Sequence, residues 1–174
     1  MQMNATKRRL LQELELLIID EVSMLRADIL DAVDNVLRTV RRLRDVPFGG
    51  VQILFIGDLL QLPPVVKDNE WAVLSSYYKS IHFFEALGLQ GQAPLYIELE
   101  KIYRQSDPVF IDVLNHFRDN KVTSKDIEIL NKHYQPGFKP RPNDGYIYLT
   151  THNRIADKVN REELQKLAGT SYTF

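Results

Sequence analysis

The four residues Leu16-Leu17-Ile18-Ile19 form an unbroken apolar run that stops abruptly at the acid pair Asp20-Glu21. A run this short, with no polar residue alternating through it, reads as a strand buried on both faces of a parallel sheet. The two carboxylates then stand at the strand's C-terminal end, the edge where open α/β sheets collect their ligands. An acid pair there suits metal-assisted phosphoryl transfer, because one carboxylate can hold Mg²⁺, directly or through water, while its neighbour orients the attacking water. The plainer alternative is a strand that ends in two solvated acids before a loop. This stretch alone leaves both open.

A second strand narrows the choice. Residues 4–14 read as the polar end of a helix or linker entering the first strand. Ser23 and Asp28 offer caps for a helix over about 26–44, with Ile29, Val33, Val36, Leu37 and Val40 on one face. Arg38, Arg41, Arg42 and Arg44 crowd its last turns, either as a solvated face favoured by the helix dipole or as phosphate contacts. Pro47-Phe48-Gly49-Gly50 breaks the helix, and residues 51–56, VQILFI, make the next strand. Strand, helix and strand in this order predict a βαβ unit with parallel strands. Asp20-Glu21 and the segment from Gly57 to Pro64 should therefore share one sheet edge.

Residues 65–91 read as short helices and loops packed on the sheet, with Trp71, Tyr77, Tyr78, Phe83 and Phe84 as core aromatics or, alternatively, base-stacking ones. A third strand is expected at 94–99. Asp107-Pro108 opens a helix with Phe110, Val113, Leu114 and Phe117 inward. A further helix is expected over about 124–134, with Ile127, Leu130 and Tyr134 inward, then a Pro- and Gly-rich loop at 135–145. A fourth strand at 146–150 leads to a last helix over about 154–168, capped by Thr151-His152-Asn153 and ended by Gly169, with Ile155, Val159, Leu164 and Leu167 inward. The boundary between two α/β units is expected near 104–107.

Charge and cysteine content restrict the partners. A formal net charge of −1 over 174 residues carries no global basic signal, so any nucleic-acid site is a local groove. The absence of cysteine excludes disulfides and thiolate metal sites and agrees with a reducing compartment. No signal peptide is visible, and no apolar run approaches the roughly 20 residues of a membrane span. His82, His116, His133 and His152 show no metal-ligand spacing.

Taken together, LLIIDEVSML, FIGDLLQLPPV and ELEKIYRQ carry a family resemblance. The chain resembles the superfamily 1B helicases of the Pif/RecD type, RecA-like motors that move 5′ to 3′ on single-stranded DNA. The three blocks look like that family's Walker B, motif III and motif IV, and GYIYLTTHNRIADKVNREEL looks like the beginning of its second RecA-like domain. The resemblance implies an α/β fold: an incomplete RecA-like P-loop NTPase domain over 1–105, then the start of a second over 106–174. By the same resemblance Asp20 coordinates the Mg²⁺ of ATP, Glu21 orients the hydrolytic water, Gln61 senses the γ-phosphate and Arg104 faces it from the interdomain cleft. Asp58 buttresses the loop. His152-Asn153, before a helix, is a candidate contact to a DNA phosphate.

A P-loop of the form G-x-x-x-x-G-K-[ST] does not occur in the sequence. The expectation is therefore an internal portion of a longer ATP-dependent helicase, inactive alone, acting with single-stranded DNA and duplex junctions in genome maintenance. An exposed sheet edge should favour self-association. An intracellular place follows, cytoplasmic in a bacterium and nuclear or mitochondrial in a eukaryote. Two alternatives stand beside it: a non-catalytic DNA- or protein-binding module with a degenerate nucleotide site, and the motor portion of a relaxase-linked helicase.

Overall fold

Strand β1 (Leu16–Ile19) pairs in parallel with β2 (Gln52–Phe55), Leu16 opposite Gln52 and Ile19 opposite Phe55. Parallel neighbours need a crossover. It is supplied by α2 (Ala27–Arg41), which follows α1 (Ala5–Glu13) and β1. The computed structural model describes residues 3–141 and 144–169 and falls into two compact units, 1–118 and 119–174.

In the first unit the core gathers Val22, Ala27, Leu30, Leu37, Phe48, Val51, Phe83 and Ala86. Neither Ser23 nor Asp28 caps α2; Arg26 stands at the N-cap position without a side-chain cap bond. Its guanidinium instead grips Asp28 through two 2.8 Å bonds and reaches Glu70 of α3 (Asp68–Leu74) at 3.2 Å. The Arg26 guanidinium holds the Asp28 carboxyl below the usual carboxylate range, against the opposing effect of burial.

The face that α2 buries differs from the apolar stripe read from spacing. Ala27, Leu30, Asp31, Asp34 and Leu37 are buried, whereas Ile29, Val33 and Val36 line an open apolar groove with Leu11, Leu14 and Leu17. Buried acids persist only where they are paired or hydrogen-bonded. Asp31 accepts bonds from the Tyr78 hydroxyl at 2.8 Å and from the amides of Leu87 and Gly88 at 3.0 and 2.8 Å. Asp34 accepts from Arg38 at 2.7 Å and from the amide of Phe48. The two aspartates thus fasten the 3₁₀ turns Leu87–Leu89 and Pro47–Gly50 onto the helix. Burial, reinforced by Asp31, pushes the Tyr78 hydroxyl up to about 12.

Arg38 and Arg41 are neither solvated nor free for phosphate. Arg41 donates to the carbonyls of Gly49 at 2.7 Å, Gln12 at 2.7 Å, Leu14 at 2.9 Å and Leu11 at 3.3 Å. One guanidinium therefore satisfies the open C-terminal end of α1 and ties it to α2. The signal that sequence spacing lacked is this long-range partner.

The expected strands at 94–99 and 146–150 do not form; among the described residues only β1 and β2 are strands, apart from one bridge between Arg26 and His82. Both segments are exposed, with Leu95 at 88% and Leu149 at 86%. A strand is stabilised by a neighbour that takes its hydrogen bonds, and neither segment has one among the described residues. Nor is β1 buried on both faces: Leu16 and Ile18 are 42% and 55% exposed.

The expected inward faces fail in parallel. α4 (Pro108–Arg118), in the first unit, buries only Val113. In the second unit α5 (Ser124–Asn131) opens with a capping box, Thr123 accepting from the Asp126 amide and Asp126 from the Thr123 amide, yet Ile127 and Tyr134 are exposed. α6 (Asn153–Leu164) ends at Gln165 rather than at Gly169 and buries no residue; Ile155, Leu164 and Leu167 are exposed. The loop at 135–145 lies partly outside the described residues.

Replacing Arg41 by Ala strips four carbonyls of a charged donor and is expected to cost about 1.5–3 kcal/mol in urea unfolding, while Arg44→Ala stays within about 0.5 kcal/mol. The Asp28 carboxyl is depressed in the folded state, so its pairing stabilises above the unfolded pKa and is lost as pH falls through the folded one. The stability gap between the unsubstituted chain and Arg26→Ala should accordingly narrow on acidification below about pH 4, read by urea midpoints across pH.

Candidate active site

At the end of β1 the chain turns sharply through Glu21, whose backbone is left-handed at φ 52° and ψ 43°. Such a conformation is disfavoured for a residue with a Cβ and persists only where the surroundings impose it. Two bonds impose it here. The Asp20 carboxylate accepts the Glu21 N–H at 2.8 Å. The next N–H, of Val22, donates to the Ile56 carbonyl at 3.0 Å, while the Ile56 N–H donates to the Ile19 carbonyl at 2.9 Å. The β1–β2 ladder therefore continues past both strands into the acid-pair turn.

Gly57 follows at once, and a Cβ on it would lie 2.8 Å from the Val22 nitrogen and 3.1 Å from Val22 Cγ1. Beyond it Asp58 organises the loop: its carboxylate accepts the Leu60 N–H at 3.0 Å and its carbonyl the Gln61 N–H at 3.0 Å. Arg118 of α4 approaches the same carboxylate at 3.9 Å. Pro64 is buried and anchors the far side of the loop, leaving Leu60, Gln61 and Leu62 exposed.

Asp20, Glu21 and the loop bearing Gln61 thus meet at one edge. Arg104 lies in an exposed segment outside helix and strand. His152 and Asn153 belong to the second unit. His152 is the N-cap of α6 without a side-chain cap bond, its Nδ1 lying 2.8 Å from the Thr151 hydroxyl, and Asn153 is the first helical residue.

Among the described residues no three His, Cys, Asp or Glu side chains cluster so as to hold a metal. Asp20 nevertheless suits the cation that accompanies a nucleotide. It is exposed, and one of its oxygens is engaged by the Glu21 N–H while the other has no partner among the described residues. Mg²⁺ keeps most of its waters and needs only one or two carboxylates beside the phosphates.

Motif reading missed Gly57 and the left-handed Glu21. The glycine was visible in the string Phe55-Ile56-Gly57-Asp58, but its purpose depends on Val22 packing across from it, which no local pattern encodes.

Residues 1–128 match the PIF1-like helicase family. The chain belongs to that family. It is 34% identical over 165 residues to the ATP-dependent DNA helicase RRM3 of Saccharomyces cerevisiae, covering 92% of the chain and 21% of that protein. Against human ATP-dependent DNA helicase PIF1 the identity is 32% over 160 residues, covering 91% of the chain and 23% of the relative. The chain therefore spans about a fifth of the length of these relatives. Among solved structures, the Bacteroides Pif1 helicase in complex with ADP-AlF3 and single-stranded DNA superposes with a TM-score of 0.86 at 41% identity, over 97% of this chain and 39% of that one. Pif1 helicase from Candida albicans does so at 0.71 and 28% identity, over 95% and 35%. The fold class is accordingly α/β of the RecA-like helicase kind.

The left-handed turn at Glu21 should discriminate by backbone tolerance rather than charge. Glu21→Asn is expected to leave the urea midpoint nearly unchanged, whereas the β-branched Glu21→Val should cost about 1–3 kcal/mol.

Proposed function

We propose that this chain is the part of an ATP-dependent 5′-to-3′ DNA helicase that carries the hydrolytic acid pair and the γ-phosphate sensor. The observation that carries the reading is the single edge shared by Asp20-Glu21 and the Gln61 loop, joined through Val22 and Ile56. In this reading residues 1–105 are part of a first RecA-like domain and 106–174 begin a second, with Arg104 contributed from the boundary.

The roles follow from the chemistry of each group. Asp20 holds the Mg²⁺ of ATP, directly or through water, and the cation supplies charge neutralisation on the phosphates. Glu21 accepts a hydrogen bond from the attacking water and orients it. Gln61, a neutral amide that donates and accepts, senses the γ-phosphate. Arg104 stabilises the charge that develops in transfer, an effect worth about 10³ to 10⁵ in rate where such arginines operate. Hydrolysis drives movement on single-stranded DNA and opening of duplex junctions, a role supported by relatives whose structures contain single-stranded DNA or address unwinding of forked duplex. His152 and Asn153 contact a DNA phosphate at the start of α6. The setting is intracellular, in genome maintenance.

Two corollaries concern the 174-residue chain by itself. With no P-loop pattern in its sequence it hydrolyses little ATP. Among the described residues its two-stranded sheet leaves open edges beside exposed apolar side chains, which favours association with a second copy.

The test is ATP hydrolysis with and without single-stranded DNA, on this chain and on a helicase polypeptide that joins it to an upstream P-loop. DNA-stimulated turnover only in the longer protein, abolished by Glu21→Gln, is the expected result. Silence in both with DNA binding retained would favour a binding module instead. Light scattering on the chain across concentration checks the second corollary; a monomer throughout would refute it.

A further inference from the structure

We propose that Gly57 is a positioning residue, whose missing side chain lets the start of the Gln61 loop rest on the Val22 amide and so sets Glu21 and Gln61 in fixed relation. The inference rests on the helicase reading and gives a task to a residue that carries no chemistry of its own.

The path from one functional group to the other is short and made of backbone. Glu21 is held left-handed from one side by the Asp20 carboxylate at 2.8 Å. From the other side the Val22 N–H is held by the Ile56 carbonyl at 3.0 Å. The chain then passes through Gly57 to Asp58, whose carbonyl receives the Gln61 N–H at 3.0 Å and whose carboxylate receives the Leu60 N–H at 3.0 Å. Two backbone hydrogen bonds and a few planar peptide units therefore separate the water-orienting acid from the sensor. A displacement at Gln61 has little slack in which to dissipate before it reaches Glu21.

Gly57 is the tightest point of that path. A Cβ there would meet the Val22 nitrogen at 2.8 Å, Val22 Cγ1 at 3.1 Å and the Glu21 carbonyl carbon at 3.5 Å. The nearest of these atoms is backbone and cannot swing aside as a flexible side-chain tip would. Gly57 is not among the residues with positive φ, so the requirement for glycine is one of close approach rather than of backbone conformation. Relief must come from separating the two turns, which lengthens the Val22–Ile56 bond or rotates Glu21 out of its left-handed state. Misplacing a catalytic group by about 1 Å can cost about 10²-fold in rate. ATP affinity rests mainly on the phosphate cradle, so the loss falls on kcat.

The experiment uses the helicase polypeptide with its P-loop, comparing the unsubstituted protein with Gly57→Ala, Asp58→Ala and Asp58→Asn. The measurements are kcat and KM for ATP with single-stranded DNA, and amide exchange of the peptide containing Val22. Gly57→Ala should lower kcat about 10- to 100-fold, leave KM within about twofold and speed exchange at Val22. The Asp58 pair tests the same path where folding is not at stake. Asp58→Ala should lower kcat about tenfold, and Asp58→Asn, which keeps a side-chain oxygen for the Leu60 N–H, should restore most of it. A folded Gly57→Ala protein with kcat within twofold of the parent, or equal losses in both Asp58 variants, would overturn the proposal. An unsubstituted protein that hydrolyses no ATP defeats the helicase reading and the positioning role together, whereas an active parent with an indifferent Gly57→Ala defeats the role alone.

Discussion

The hydrogen bond from the Val22 N–H to the Ile56 carbonyl carries more of this structure than its length suggests. It is the last rung of the β1–β2 ladder, placed where both strands have already ended. Because it lies beyond the strands it joins two loops rather than two strands, and those loops bear the acid pair and the Gln61 amide. Parallel pairing brings the two chain ends to one edge, and this rung settles how closely they approach. The left-handed Glu21 and the bare Gly57 are the local consequences of closing that gap.

The support beneath that edge is polar as much as apolar. α2 buries Asp31 and Asp34 beside Ala27, Leu30 and Leu37, on a face other than the apolar stripe that spacing marks out. Removing either partner of such a buried contact leaves a charge or an amide unsatisfied, which costs more than the bond itself contributes. These aspartates select a single arrangement of the 3₁₀ turns Pro47–Gly50 and Leu87–Leu89, and Arg41 does the same for the end of α1. The Arg26, Asp28 and Glu70 contacts extend this fastening to α3.

Local pattern was sufficient for whatever depends on neighbours in sequence. The apolar runs of β1 and β2, the crossover helix and the opening of α4 at Asp107-Pro108 follow from composition and spacing. The segments at 94–99 and 146–150 have equally good strand composition, yet pairing is a property of two segments, and among the described residues neither is paired. Leu95, Ile97, Ile147 and Leu149 are exposed as a result. At the site, residue type and position point to the acid pair Asp20-Glu21, and only the family resemblance points to Gln61. Spacing offered no sign that Glu21 would be left-handed or that Gly57 would be in contact with Val22, because both arise from the meeting of segments some 35 residues apart, separated by α2.

The central claim is that Asp20-Glu21 and the Gln61 loop form one nucleotide-facing edge. Paramagnetic broadening tests it most directly: Mn²⁺ and a non-hydrolysable ATP analogue are added to the isotope-labelled helicase polypeptide, and backbone amide signals are followed. The account predicts that Glu21, Val22, Gly57 and Gln61 broaden together, while the amides around Asp31 and Asp34 on α2 persist. Broadening of the acid-pair turn without the Gln61 loop, or of neither, would contradict it.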